Sequence, residues 1–263
     1  VRGGRRAIFT AFGLGKTVIQ LETLRIILGT SGGRGLIVLP LGVRQEFARD
    51  AAMLGTPLRF IRTIEEADAP GLYMTNYETV RDGKLDPRAF QALSLDEAGI
   101  LRGFGGTKTF RRFMGLFEGT ATYRFVATAT PSPNDWIELL AYAGFLEIMD
   151  IGQAKTRFFK RDSTKADHLT LHPHKVREFW LWVSSWAIFV QAPSDLGYSD
   201  EGYALPPLDV RWHEVPSDHA AAGAERDRPG DRRRHATRAC ASPWPGRRAC
   251  GAGSRGTDPA LPA

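Results

Sequence analysis

The sequence predicts an α/β domain of the phosphate-loop type, with a parallel sheet flanked by helices, a partly helical extension and a disordered tail. Three observations carry this expectation. Short apolar runs alternate with stretches of helical spacing, the pattern of βαβ units. A Gly-rich segment ending in Lys16-Thr17 separates the first apolar run from the first helical stretch. The composition then breaks abruptly at Ser217. These features place an α/β domain over residues 1–150, a helical or irregular extension over 151–216, and a tail over 217–263.

The elements follow in order. Ala7 to Thr10 is a short apolar strand entering the Gly-rich turn. Val18, Leu21, Leu24 and Leu28 then recur at helical spacing over Thr17 to Leu28. After a Gly-rich cluster from Gly29 to Gly35, Leu36 to Leu39 reads as a buried strand stopped by Pro40. Val43, Phe47, Ala51 and Leu54 form one face of a second helix, closed by Gly55. Leu58 to Ile61 and Leu72 to Thr75 are further short strands. Ala92 to Leu95 is a strand ending in Asp96-Glu97, and Tyr123 to Ala127 one ending in Thr128-Ala129-Thr130-Pro131. Asn134 to Phe145 reads as a helix with Asn134 as its cap. From Glu178 to Val190 helical spacing places Phe179, Trp182, Val183, Trp186 and Val190 on one face, which core packing explains better than base stacking.

Composition excludes several classes. The 263 residues are 43% hydrophobic and 24% charged, enough for a sizeable core. No apolar run approaches the ~18 residues that span a bilayer, and the start shows no secretory leader. Beginning on Val1, the chain reads as a fragment or as the product of an alternative start codon. Two cysteines, Cys240 and Cys250, exclude a disulfide scaffold and a four-cysteine zinc site. A reducing cytoplasm is the expected compartment, with no membrane partner.

Of the net charge of +6, residues 217–263 hold +4, from nine Arg against four Asp and one Glu. The tail contains no Ile, Val, Phe, Tyr, Met, Lys, Asn or Gln, so it buries too little apolar area to offset its ordering entropy. Three readings stand for it: a solvated arginine-rich tail, a basic arm touching phosphates, or a frameshifted read-through of a GC-rich gene.

Two motifs carry chemistry. Gly13-Leu14-Gly15-Lys16-Thr17 follows a strand and opens a helix. Only glycine lets backbone N–H groups wrap a triphosphate closely. Lys16 would bridge the β- and γ-phosphates, and Thr17 would offer its hydroxyl to Mg²⁺. The competing reading is a Gly-rich turn with a surface lysine, and Thr10 stands where the full pattern has its first glycine. Asp96-Glu97, directly after an apolar strand, suits a pair in which Asp96 holds Mg²⁺ and Glu97 deprotonates the attacking water; solvated acids at a strand end are the alternative. In a parallel sheet ligands bind at the carboxyl ends of strands, so both motifs and Thr128 to Thr130 are expected on one rim.

In order, Gly13 to Thr17, Val38 to Leu41, Thr75-Asn76-Tyr77-Glu78, Leu95 to Ala98 and Thr128 to Pro131 resemble the first motor domain of superfamily-two DEAD/DEAH-box helicases. They look most like Swi/Snf-type DNA translocases, in the version found in phages and mobile elements. The resemblance implies a RecA-like domain that binds ATP and Mg²⁺ and couples hydrolysis to movement on double-stranded DNA. It implies that Gly13, Leu14, Gly15, Lys16, Thr17, Thr128 and Thr130 bind nucleotide, that Thr17 and Asp96 hold the metal, and that Lys16 and Glu97 are catalytic. The segments at Pro40 and at Thr75 to Glu78 would contact the nucleic-acid backbone. The chain departs from the family at Thr10 and at Gly99, the fourth position of the acidic box. A second motor domain and the adenine-gripping element are also expected but not found in it, so low activity alone, or an inactive remnant, is anticipated. An unrelated P-loop kinase is disfavoured by the second acid, Glu97.

Two further clusters carry open readings. His168, His172 and His174 with Asp167 are either weak metal ligands or solvated loop residues. Arg102, Lys108, Arg111 and Arg112 line either a phosphate track or a solvated helix face.

Overall fold

The structure, a computed structural model, describes residues 3–102, 108–119, 121–161, 169–203 and 209–213. The expectations for the tail from residue 217, for Asp167 and for His168 lie outside these residues. The chain divides into two units, Val1–Ala204 and Leu205–Ala263. In the second, residues 209–213 carry no helix or strand and are exposed.

The first unit contains β1 (Arg5–Thr10), α1 (Lys16–Ser31), β2 (Arg34–Leu39), α2 (Arg44–Met53), β3 (Leu58–Phe60), β4 (Gly71–Asn76), α3 (Tyr77–Arg81) and β5 (Ala92–Asp96). It continues with α4 (Lys108–Phe117), β6 (Tyr123–Thr128), α5 (Leu139–Phe145), α6 (Ile151–Phe158), β7 (Phe159–Arg161), β8 (Leu169–Leu171), α7 (Val176–Trp186) and β9 (Ala187–Val190). Seven strands form one sheet in the order β3-β4-β2-β5-β6-β1-β9, every neighbouring pair parallel. β7 and β8 pair antiparallel as a separate ribbon. This is the α/β sheet the alternation of apolar runs predicts.

The central strands read as continuous apolar runs because parallel strands are covered on both faces. Leu36, Ile37, Val38 and Leu39 of β2 are completely buried. On one face Leu21, Leu24 and Ile27 of α1 meet Ile37, Leu39 and Phe125, with Phe47 and Ala51 of α2 closing the layer. Truncating one such leucine to alanine costs about 2–5 kcal/mol.

Two local expectations need correction. The helix read over Glu178 to Val190 ends at Trp186, and Ala187 to Val190 form β9 beside β1, with Ile8 opposite Ile188. Phe179, Val183, Trp186 and Val190 are nonetheless all buried, as core packing requires. The stretch from Asn134 begins as a 3-10 turn capped by Asp135, whose carboxylate accepts from the Ile137 N–H; the Asn134 side chain instead donates to Glu138.

At the amino ends of β1 and β6 a charged cluster clamps the sheet. Arg124 is buried and donates to the Phe117 and Phe145 carbonyls, with Glu147 Oε1 at 2.8 Å. Glu147 also accepts from Arg5 at 2.6 Å and from the Gly119 N–H at 3.0 Å. Burial pushes the Glu147 carboxyl up, but that N–H and the two arginines outweigh it and hold it below its usual range.

Candidate functional site

β5, β6 and β1 are consecutive in the parallel sheet, so their carboxyl ends share one rim. The segments leaving that rim are the Gly-rich loop, the acidic pair and the Thr128–Thr130 turn. The loop needs its glycines for conformation. Gly13 and Gly15 have φ of +81° and +70°, and nothing lies within 4 Å of where a Cβ would stand. Gly15 is the N-cap of α1 and supplies no side-chain bond, and no acid occupies the first turn. The helix start therefore presents N–H groups and the positive end of its dipole to the rim. Leu14 is half-buried, whereas Phe12 is exposed. Thr10, where the loop pattern departs from glycine, is buried with its hydroxyl unbonded among the described residues.

Lys16 reaches across the rim. Its Nζ lies 3.2 Å from Glu97 Oε2 and 3.9 Å from Asp96 Oδ1. The Thr128 hydroxyl donates to Glu97 Oε1 at 3.1 Å and accepts from the Thr130 N–H at 3.2 Å. Glu97 adopts φ +46°, a left-handed conformation uncommon outside glycine. Thus Lys16, Asp96, Glu97, Thr128 and Thr130 form one connected group. Thr17 is half-buried in the first turn of α1, and its hydroxyl makes no bond among the described residues.

Two residues that motif reading missed, Gln20 and Ser94, complete the group, with Tyr77, which it assigned to nucleic-acid contact. Gln20, one turn beyond Lys16, is buried and donates to Asp96 Oδ1 at 2.8 Å. Ser94, two residues before Asp96 on the same face of β5, donates to Gln20 Oε1 at 2.7 Å. Tyr77 donates from its hydroxyl to the Asp96 carbonyl at 2.6 Å. Burial raises the Asp96 carboxyl above its usual range, with Lys16 and Gln20 opposing and Glu97 adding to the rise. Burial, then the charges of Asp96 and Glu97, push the Tyr77 hydroxyl well above its ordinary value, so it remains a donor.

The donor set fits a magnesium nucleotide. Open glycine backbone and an uncapped helix start suit phosphate oxygens. A hydroxyl and a carboxylate with one oxygen held by Gln20 are the hard ligands Mg²⁺ takes.

Elsewhere the placements differ. Within Thr75 to Glu78, Thr75 is buried and donates to the Ile61 carbonyl, and Tyr77 points inward. Asn76 is half-buried and Glu78 exposed, the Asn76 amide donating to the Glu78 carboxylate at 2.6 Å. Arg111 is exposed on α4. The rings of His172 and His174 are 5.1 Å apart, and among the described residues no group of His, Cys, Asp and Glu is arranged for a metal.

This parallel sheet, with its three polar turns on one rim, has the RecA-like α/β fold. Among solved structures, a Sulfolobus solfataricus SWI2/SNF2 ATPase core in complex with double-stranded DNA is similar, with a TM-score of 0.55 and 18% identity over 71% of this chain and 40% of that one. The UvsW helicase of bacteriophage T4 matches over 52% of this chain and 51% of its own, with a TM-score of 0.42 and 18% identity. The Pyrococcus furiosus Hef helicase domain matches over 55% and 33%, with a TM-score of 0.44 and 19% identity. This chain thus spans less than half the length of the archaeal SWI2/SNF2 core. No protein-family model and no curated protein sequence matches it. No helix among the described residues is long and apolar enough to cross a membrane.

Proposed function

We propose that this chain is the ATP-binding core of a nucleic-acid-dependent ATPase, of the helicase or DNA-translocase type, working on double-stranded DNA. The observation that carries the reading is the convergence of Lys16, Asp96, Glu97 and Thr128 at the carboxyl ends of adjacent parallel strands. The likeness in fold to a double-stranded-DNA-bound ATPase core supports the choice of partner.

In this reading the backbone N–H groups of Gly13 to Thr17 bind phosphate oxygens, and Lys16 exchanges Glu97 for the β- and γ-phosphates. Thr17 and Asp96 hold Mg²⁺, which when bound draws charge from the phosphate oxygens. Gln20 and Ser94 keep one Asp96 oxygen occupied, so the carboxylate presents a fixed edge. Glu97, oriented by Thr128, takes a proton from water as the water oxygen bonds to the γ-phosphorus and the bond to ADP breaks. Among the described residues the acidic pair's ion-pair partner is Lys16, and no arginine joins it. An arginine finger adds about 10³–10⁵ in rate. An arginine brought to the acidic pair is proposed to raise the rate by that order.

A titration with a non-hydrolysable ATP analogue tests this, with and without Mg²⁺ and with and without duplex DNA. Magnesium-dependent saturable binding is expected, together with retention of the duplex. Absence of both overturns the proposal; retention of duplex alone favours a nucleic-acid-binding fragment without motor chemistry.

A further inference from the structure

Gln20 is the polar residue among the buried positions of α1, which are otherwise Leu21, Leu24 and Ile27. An amide buried so deeply costs stability unless both its ends are bonded, and both are. Its Nε2 donates to Asp96 Oδ1 at 2.8 Å, and its Oε1 accepts from the Ser94 hydroxyl at 2.7 Å. Ser94 is itself completely buried. The direction of this chain is set by its last member. A carboxylate only accepts, so the amide must turn its NH₂ to Asp96 and its oxygen to Ser94, and Ser94 must donate. Ser94 thereby holds the amide in the orientation that serves Asp96.

The result is unequal access to the two Asp96 oxygens. Gln20 and Lys16, one turn apart on α1, both address Oδ1, at 2.8 and 3.9 Å. Among the described residues no side chain donates to Oδ2. The carboxylate therefore offers a cation one oxygen rather than a chelating pair. Divalent cations differ in what they ask of such a group. Mg²⁺ is small, keeps several of its waters and is held by one or two carboxylates. Ca²⁺ gathers about six to eight oxygens, and takes carboxylates through both oxygens as well as through one.

We propose that Gln20 and Ser94 are positioning residues that set the metal preference of this site: they occupy Asp96 Oδ1, so that the carboxylate binds through Oδ2 alone and favours Mg²⁺ over Ca²⁺. This rests on the reading of the rim as a magnesium-nucleotide site, and adds to it the residues that select the metal.

The test reads binding and not turnover. The full chain is titrated with a fluorescent, non-hydrolysable ATP analogue in saturating Mg²⁺ and again in saturating Ca²⁺, and the ratio of the two affinities is compared among variants. Wild type is expected to favour the Mg²⁺ complex. Gln20→Met keeps the length of the side chain without its amide. It is expected to lower the ratio about tenfold, at the foot of the ~10–100-fold range for residues that orient a metal ligand. Ser94→Ala frees the amide to turn and should lower the ratio in the same direction by a smaller factor. Ser94→Thr keeps the hydroxyl and should restore the wild-type ratio. A merely structural defect weakens both complexes alike and leaves the ratio where it was.

A wild-type chain that binds the analogue equally well in the two metals overturns the proposal and leaves the nucleotide site standing. So does a wild-type ratio in Gln20→Met. A chain that binds the analogue in neither metal overturns the ATPase reading, and the proposal with it. If Gln20→Met does not fold, the serine variants decide: the same ratio in Ser94→Ala as in Ser94→Thr refutes the role.

Discussion

Replacing Lys16 with alanine separates a structural lysine from a phosphate-binding one, because the two roles differ in magnitude. In the chain itself Lys16 pairs with Glu97 at 3.2 Å, and the Glu97 side chain is 39% exposed. Ion pairs so open to solvent contribute about 0.2–1 kcal/mol. Removal of the cation also leaves the buried Asp96 carboxylate with less to oppose its desolvation, so a total near 1 kcal/mol is expected. For a domain this size that is a fall in Tm of about 2–4 °C. Against a triphosphate, the same ammonium makes charge-assisted bonds of about 1.5–3 kcal/mol each. Losing one to two of them weakens binding by about 3 kcal/mol, or roughly 100-fold. Isothermal titration with an ATP analogue in Mg²⁺, beside thermal melts, reads both numbers. The reasoning is refuted if Lys16→Ala binds the analogue within threefold of wild type, or if its affinity falls only because the chain has unfolded.

Two further outcomes follow from the same geometry. Glu97→Gln keeps the hydrogen-bonding shape but not the base, so analogue affinity should stay within threefold while single-turnover hydrolysis with duplex falls about 10²–10⁴-fold; equal losses in both would assign Glu97 to binding. At the opposite end of the sheet, Glu147 has its carboxyl held below the usual range, so its contribution is present above the unfolded carboxylate pKa and lost as pH falls through the lower folded value. Glu147→Gln, which removes the charge that Glu147 sets 2.8 Å from the buried Arg124, should cost about 1–3 kcal/mol at pH 7 after allowance for the partly exposed glutamate. The difference from wild type should shrink in urea melts below about pH 4, and a difference independent of pH would exclude the ion pair as its cause.

The sheet was legible because its strands are short, apolar and doubly covered, and each ends in a residue of a different kind. Leu36 to Leu39 stop at Pro40, Ala92 to Leu95 at Asp96, and Tyr123 to Ala127 at Thr128. Local pattern alone therefore put the polar clusters at strand ends, and parallel pairing put them on one rim. What was not legible depends on distance along the chain. Gln20 reads as a polar residue on an apolar helix until α1 packs over β5 and brings it to Asp96, 76 residues away. Tyr77 lies inside a segment assigned to nucleic acid, and only the adjacency of α3 to the end of β5 turns its hydroxyl inward. β9 was hidden by coincidence of period. Trp186 and Val190 are four apart and so continue the helix pattern, although Ile188 and Val190 are β-branched and sit in a four-residue apolar run.

The account turns on what lies between Lys16 and the acidic pair when nucleotide is present. A crystal structure of the chain with magnesium and an ATP analogue measures this directly. The account predicts the triphosphate over the Gly13–Thr17 backbone, the metal at Thr17 and Asp96, and the 3.2 Å pairing of Lys16 with Glu97 replaced by phosphate contacts. Nucleotide bound elsewhere on the sheet, with the Lys16–Glu97 pair intact, would contradict it.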